Sequence, residues 1–119
     1  MPFNHRYKIP QIPPSNNQFI GRTNHWDYQN IKKKWAQYVE FYCNPKPSKP
    51  IEKTRVTLVY HFTDNRRRDP DNYSGKMILD GLTKARIISD DSFFCIDLQI
   101  KADYSDKSGE TEIYIEEVS

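Results

Sequence analysis

No hydrophobic run in these 119 residues approaches the ~20 needed to span a bilayer. Met1 to Lys8 also lacks the apolar core of a secretory signal. Cysteine is scarce. Cys43 and Cys95 lie far apart, each in an apolar neighbourhood, and no metal-type cysteine spacing occurs. Two free thiols in a reducing cytoplasm is the expectation. Internal repeats and low-complexity tracts are also missing. What remains is one cytoplasmic domain over residues 1–119, with no membrane partner and no organic cofactor expected. A chain this short buries one modest core, and oligomerisation would add burial.

Charge is plentiful and uneven. The formal net charge is only +2. Residues 1–60 hold 10 Lys/Arg against 3 Asp/Glu, whereas residues 61–119 hold 8 against 13. A basic half attracts polyanions, and the acidic half contains the candidate metal ligands. Two folded halves that neutralise each other would explain the same asymmetry.

The chain reads as β-α-β-α-β-β. Residues 5–9 alternate weakly as a short strand, ended by Pro10 and the Pro13-Pro14-Ser15-Asn16-Asn17 stretch. A loop continues through Gly21 to about His25. From Asp27 to Tyr42, Ile31, Trp35, Tyr38, Val39 and Tyr42 recur at helical spacing, while Lys32, Lys33 and Lys34 mostly face elsewhere, as a solvated face or, alternatively, a DNA-backbone contact. Pro45, Pro47 and Pro50 then stop the helix. Arg55 to Phe62 is the clearest strand, with Val56, Leu58, Tyr60 and Phe62 on one side. A second helix is expected from Asp69 as N-cap, with Pro70 at its first position, to about Lys84–Arg86. Asp80 and Lys84 would form an i, i+4 pair. Ile87-Ile88-Ser89-Asp90-Asp91 connects to a strand over 92–102, with Phe94, Ile96, Leu98 and Ile100 on one side. Residues 103–109 turn into a last strand over 110–118, so this final pair reads as a hairpin. The fold class expected is α+β: a four-stranded mixed sheet with two helices on one face.

Chemistry concentrates in Arg66-Arg67-Arg68-Asp69-Pro70-Asp71-Asn72, followed by Lys76 and Asp80. Guanidinium groups orient phosphate through forked, charged hydrogen bonds. Paired carboxylates hold a hard cation such as Mg²⁺ through oxygen. Asp69 and Asp71, at a strand-to-helix junction, could converge on one ion, with Asp90 or Asp91 supplying a third ligand. Such an ion would make water nucleophilic and neutralise charge developing on a phosphodiester. Asp-Pro-Asp is also good helix-start chemistry, but capping needs no arginine run. An EF-hand loop counted from Asp69 fails, because Tyr73 and Ser74 stand at positions 5 and 6 and Asp80 stands where the usual Glu would be.

These residues carry a family resemblance. Pro13-Pro14-Ser15-Asn16-Asn17, Asp64 to Asn72 (D-N-R-R-R-D-P-D-N), and Asp80-Gly81-Leu82-Thr83-Lys84-Ala85 followed by Asp90-Asp91 resemble, in order, three segments of the RusA family of Holliday-junction resolvases. The resemblance implies an α+β homodimer that nicks two opposed strands of a four-way DNA junction with Mg²⁺, Mn²⁺ serving as substitute. It places the catalytic, metal-binding aspartates at Asp69, Asp71 and Asp91 and the functional lysine at Lys76. Arg66, Arg67, Arg68, Asn72 and Lys84 would contact DNA, and Phe19 could wedge at a branch point or simply pack its loop. One departure stands out: four residues, Asn72 to Gly75, separate Asp71 from Lys76 where the family pattern has three. Two other classes fit the same residues: a non-catalytic junction-binding module, and a nuclease preferring forks or flaps.

Overall fold

A computed structural model describes residues 3–16 and 25–118, with side chains from Tyr28 onward in the second stretch. Strand β1 (Asn4–Ile9), helix α1 (His25–Tyr42), strand β2 (Thr54–His61), helix α2 (Lys76–Lys84), strand β3 (Ile96–Asp103) and strand β4 (Thr111–Glu117) follow in sequence. Their order matches the β-α-β-α-β-β expectation. Phe19 and the loop from Asn17 to Asn24 lie outside the described residues.

The sheet order is β1-β4-β2-β3. β2 runs parallel to β3 and antiparallel to β4, and β1 runs antiparallel to β4. The sheet is therefore mixed, as expected, but the expected β3–β4 hairpin does not form. The seven residues between these strands cross the end of β2 instead. There His61 donates its amide to the Glu110 carbonyl and accepts from the Gly109 amide, both at 2.9 Å. Two backbone bonds to the end of β2 hold the crossover, and β4 enters on the far side.

Period-2 alternation decides which face is buried. Val56, Leu58 and Tyr60 of β2, Ile113 and Ile115 of β4, and Tyr7 and Ile9 of β1 all point into one core. Trp35 and Val39 of α1 and Ile78 and Leu82 of α2 cover it. The opposite face carries charge, as where Arg55 bridges Asp97 of β3 and Glu116 of β4 at 3.1 and 3.4 Å. Gly81 allows the two helices to meet closely, since a Cβ there would lie 2.8 Å from Val39 Cγ2. Ile87 and Ile88, read as connector, are fully buried, and Ile88 forms a parallel bridge with Ile51.

Two further expectations need correcting. Phe94 is not on the inner side of a strand. β3 starts at Ile96, and Ser92 to Cys95 form a turn closed by Cys95 and Ile96 amides on the Ser92 carbonyl, both at 3.0 Å. Phe93 and Phe94 project from it, 102% and 90% exposed. Nor does a continuous helix start at Asp69. Asp69 is extended (φ −103°, ψ 137°) ahead of a single 3₁₀ turn, Pro70–Asn72, and α2 begins only at Lys76. Gly75 separates them in the left-handed region, at φ +80°. A Cβ at Gly75 would sit 2.2 Å from Leu58 Cδ1, so the chain can press onto β2 only where no side chain intervenes.

Candidate metal and nucleic-acid site

The charged stretch follows the C-terminal end of β2. Asp64 organises its start by accepting the Arg66 amide at 3.0 Å and Arg68 Nη2 at 2.8 Å. Led by that Arg66 amide and then by Arg68, these bonds pull the Asp64 carboxyl down to about 2. Arg68 is thereby turned inward: its guanidinium lies 4.2 Å from the Phe62 ring centroid, and its side chain is only 12% exposed. The three arginines are thus not equivalent. Arg66 and Arg67 keep 80% and 90% of their side chains exposed and can reach an anion; Arg68 braces the loop.

Asp69 is exposed and faces Arg67 Nε at 3.4 Å. Asp71 is exposed too, and no described residue pairs with its carboxylate. Its backbone, however, is tied down. Asn16 donates its side-chain amide to the Asp71 carbonyl at 3.1 Å and to Ser74 Oγ at 3.2 Å. Two segments some 55 residues apart are joined in this way, and Ser15, Arg67, Arg68, Asp69, Asn72 and Tyr73 line one depression. Asn16 lies in the Pro-Pro-Ser-Asn-Asn segment noted in the sequence, but its role in tying that loop to Asp71 and Ser74 was not legible there.

Lys76 opens α2, 62% exposed at its side chain, with Nζ 3.7 Å from Asp80 Oδ2. The same oxygen lies 3.5 Å from Lys32 of α1. Asp80 therefore turns toward Lys76 and Lys32 rather than making the expected pair with Lys84, which stands exposed in the last turn of α2. Lys32 leaves the solvated face assigned to its lysine run and joins the two helices.

Asp91 is exposed in another depression, with Leu79, Ser92, Phe93, Ile96, Asp97 and Leu98. Among the described residues, one set of three His, Cys, Asp or Glu side chains gathers its ligand atoms within 4.8 Å, and it is not Asp69, Asp71 and Asp91. Asp69 stands in extended backbone just before the 3₁₀ turn that contains Asp71. Asp69 and Asp71 offer exposed carboxylate oxygens, the donor type that Mg²⁺ takes; the third ligand does not reach them in this arrangement.

The set that does gather is His61, Asp103 and Asp106. It lies on the charged face of the sheet, where β2, β3 and the crossover meet. His61 contacts Asp103 through Nδ1, at 2.7 Å, and Glu112 through Nε2. Burial alone would lower the imidazole's pKa, but hydrogen bonds to Asp103 and Glu112 outweigh it and the net shift is upward. Sequence reading missed this group because its members are 42 and 45 positions from His61 and share no motif. The alternating pattern that put His61 on β2 was the one available signal.

The chain matches no protein-family model, and no curated protein matches it.

Proposed function

We propose that the protein is a Mg²⁺-dependent endodeoxyribonuclease of the RusA type, acting on four-way DNA junctions as a homodimer. The observation that carries this reading is the depression where the Pro13–Asn16 loop docks beside Asp69, Asp71 and Asn72, with Arg67 open to solvent at its rim. Cationic side chains beside exposed carboxylates suit a phosphodiester approached by a metal ion. Arg66 and Arg67 would hold phosphates, and Lys76, steadied by Asp80, would add a positive charge one helix start away. The bound ion would supply the activated water and offset charge on phosphorus. A twofold dimer would present two such centres to the two opposed strands of a junction.

A second reading rests on a specific observation. Asp91 does not gather with Asp69 and Asp71, which favours a junction-binding module without cleavage.

Synthetic four-way junction, fork and linear duplex DNA, each with and without Mg²⁺, separate the readings. Paired nicking of the junction alone, lost in Asp71→Asn with binding kept or tightened, is expected, because removing a carboxylate removes repulsion from phosphate. Binding without cutting identifies the module; preferential cutting of forks moves the substrate. Undiminished cutting by Asp71→Asn overturns the site.

A further inference from the structure

We infer that His61, Asp103 and Asp106 form a binding site for a divalent transition-metal cation of the Zn²⁺ or Mn²⁺ class, ligated through His61 Nδ1, on the sheet face opposite the helices. The inference does not depend on the proposed nuclease activity.

Geometry comes first. His61 Nδ1 lies 2.7 Å from Asp103 Oδ2 and 3.9 Å from Asp106 Oδ2. Bonds of about 2.0–2.1 Å at tetrahedral angles put neighbouring ligand atoms about 3.3 Å apart. The two distances bracket that value, and all three ligand atoms lie within 4.8 Å of one another, so small side-chain shifts complete the set.

The surroundings of the three ligands point the same way. A metal-bound imidazole usually gives its far N–H to a carboxylate, which fixes the tautomer. Glu112 occupies that position on Nε2. Glu112 is itself held by Tyr114 Oη at 3.0 Å and faces Arg6 at 3.6 Å. The Asp103 carboxylate is oriented likewise: its Oδ1 accepts from Ser105 Oγ at 2.7 Å and from the Ser105 amide at 3.0 Å, while Oδ2 faces His61 and accepts the Asp106 amide at 3.4 Å. His61 is a side chain 92% buried, and it comes from a different element than either aspartate.

Charge gives an independent argument. Arg6 offsets Glu112, which leaves Asp103 and Asp106 as two negative charges around one imidazole. A proton on His61 would neutralise one of them, whereas a divalent cation in its place on Nδ1 neutralises both. The nitrogen ligand selects a transition metal over Mg²⁺ or Ca²⁺, which favour all-oxygen sites. Three protein ligands leave a fourth position open for water.

The decisive residue is Asp106. It sits in the crossover with its side chain 62% exposed; its amide donates to Asp103 Oδ2 at 3.4 Å, and its carboxylate's one contact in the group is the 3.9 Å approach to His61. A closed ion-pair clamp of His61 between Asp103 and Glu112 would not need it; a metal site would. The test is calorimetric titration of ZnCl₂, and separately MnCl₂, into chelator-stripped full-length protein at neutral pH. In an Asp71→Asn background, which removes the proposed nuclease ion, one equivalent should bind, weakened roughly tenfold or more when Asp106→Asn is added and to a similar degree with Glu112→Gln. Binding should persist in Asp71→Asn, whose position lies outside the cluster. Absence of saturable binding by either metal, binding unchanged in Asp106→Asn, or binding lost in Asp71→Asn instead would each overturn the assignment. Asp106→Asn changes an exposed side chain, so the test does not hang on whether substitutions at buried His61 fold.

Discussion

Replacing Gly75 by alanine tests the local architecture that divides Asp71 from Lys76. Two costs add. A residue with a Cβ in the left-handed region loses about 1–2 kcal/mol, and Gly75 stands at φ +80°. The new methyl also meets Leu58 Cδ1 at 2.2 Å, well inside van der Waals contact. Leu58 is fully buried at the centre of the sheet, so it cannot swing away, and overpacking of this kind costs about 1–3 kcal/mol. Together they give roughly 3 kcal/mol. With a urea m-value of about 1.5 kcal/mol/M, the unfolding midpoint should fall by about 2 M. The two costs separate in a second background. Leu58→Val removes Cδ1, so there Gly75→Ala should cost only the backbone share, about 1–2 kcal/mol. A single variant within ~0.5 kcal/mol of wild type would mean that Gly75 is not held in this conformation against β2. An equal penalty in both backgrounds would mean that Leu58 is not what the methyl strikes.

Other expectations are shorter to state. The Asp64 carboxyl is drawn to about 2 by the Arg66 amide and Arg68. A depressed acid stabilises the fold above its unfolded value near 4, and that contribution is lost as pH falls toward 2. The melting-temperature gap between wild type and Asp64→Asn should therefore close between pH 5 and pH 2; a constant gap contradicts the assignment. Burial pushes the Cys43 thiol up to about 12, whereas Cys95 is partly exposed. Iodoacetamide at mildly alkaline pH should add one adduct to the native protein, at Cys95, by mass spectrometry, and rapid double labelling would count against the packing of α1. Asn16→Ala removes two hydrogen bonds that dock the Pro-Pro loop. It should cost about 0.5–1.5 kcal/mol in urea unfolding, and no measurable change would mean that the loop is not anchored there.

The parts of this fold that were legible in the sequence are those set by local rules. Alternation in 55–61 and apolar spacing in 31–42 report one face of one element, and both elements stand where the pattern put them. The hairpin expectation failed because adjacency in sequence says nothing about what crosses the end of β2. Backbone bonds from Gly109 and to Glu110 decided that, and they involve no distinctive side chain. The helix expected from Asp69 failed for a related reason. Asp-Pro is a competent start signal, but the contact that interrupts the helix is Gly75 against Leu58, a partner 17 residues away. The charged stretch was identifiable by composition, whereas the inward turn of Arg68 depended on Asp64 and the Phe62 ring. The relative placement of Asp69, Asp71 and Asp91 is tertiary information, and no spacing along the chain supplies it.

The sheet order also bears on how the molecule is made. Every ladder in it joins segments far apart along the chain, the nearest being Thr54 beside Ile96. β4, synthesised after the other three strands, is wedged between β1 and β2, so Tyr7 and Ile9 have no neighbour for their backbone until Thr111 to Glu117 emerges. The β2–β3 ladder can form early, but β1 joins the sheet only once β4 is available. Removing β4 would strip β1 of its backbone partner and leave β2 held by β3 alone.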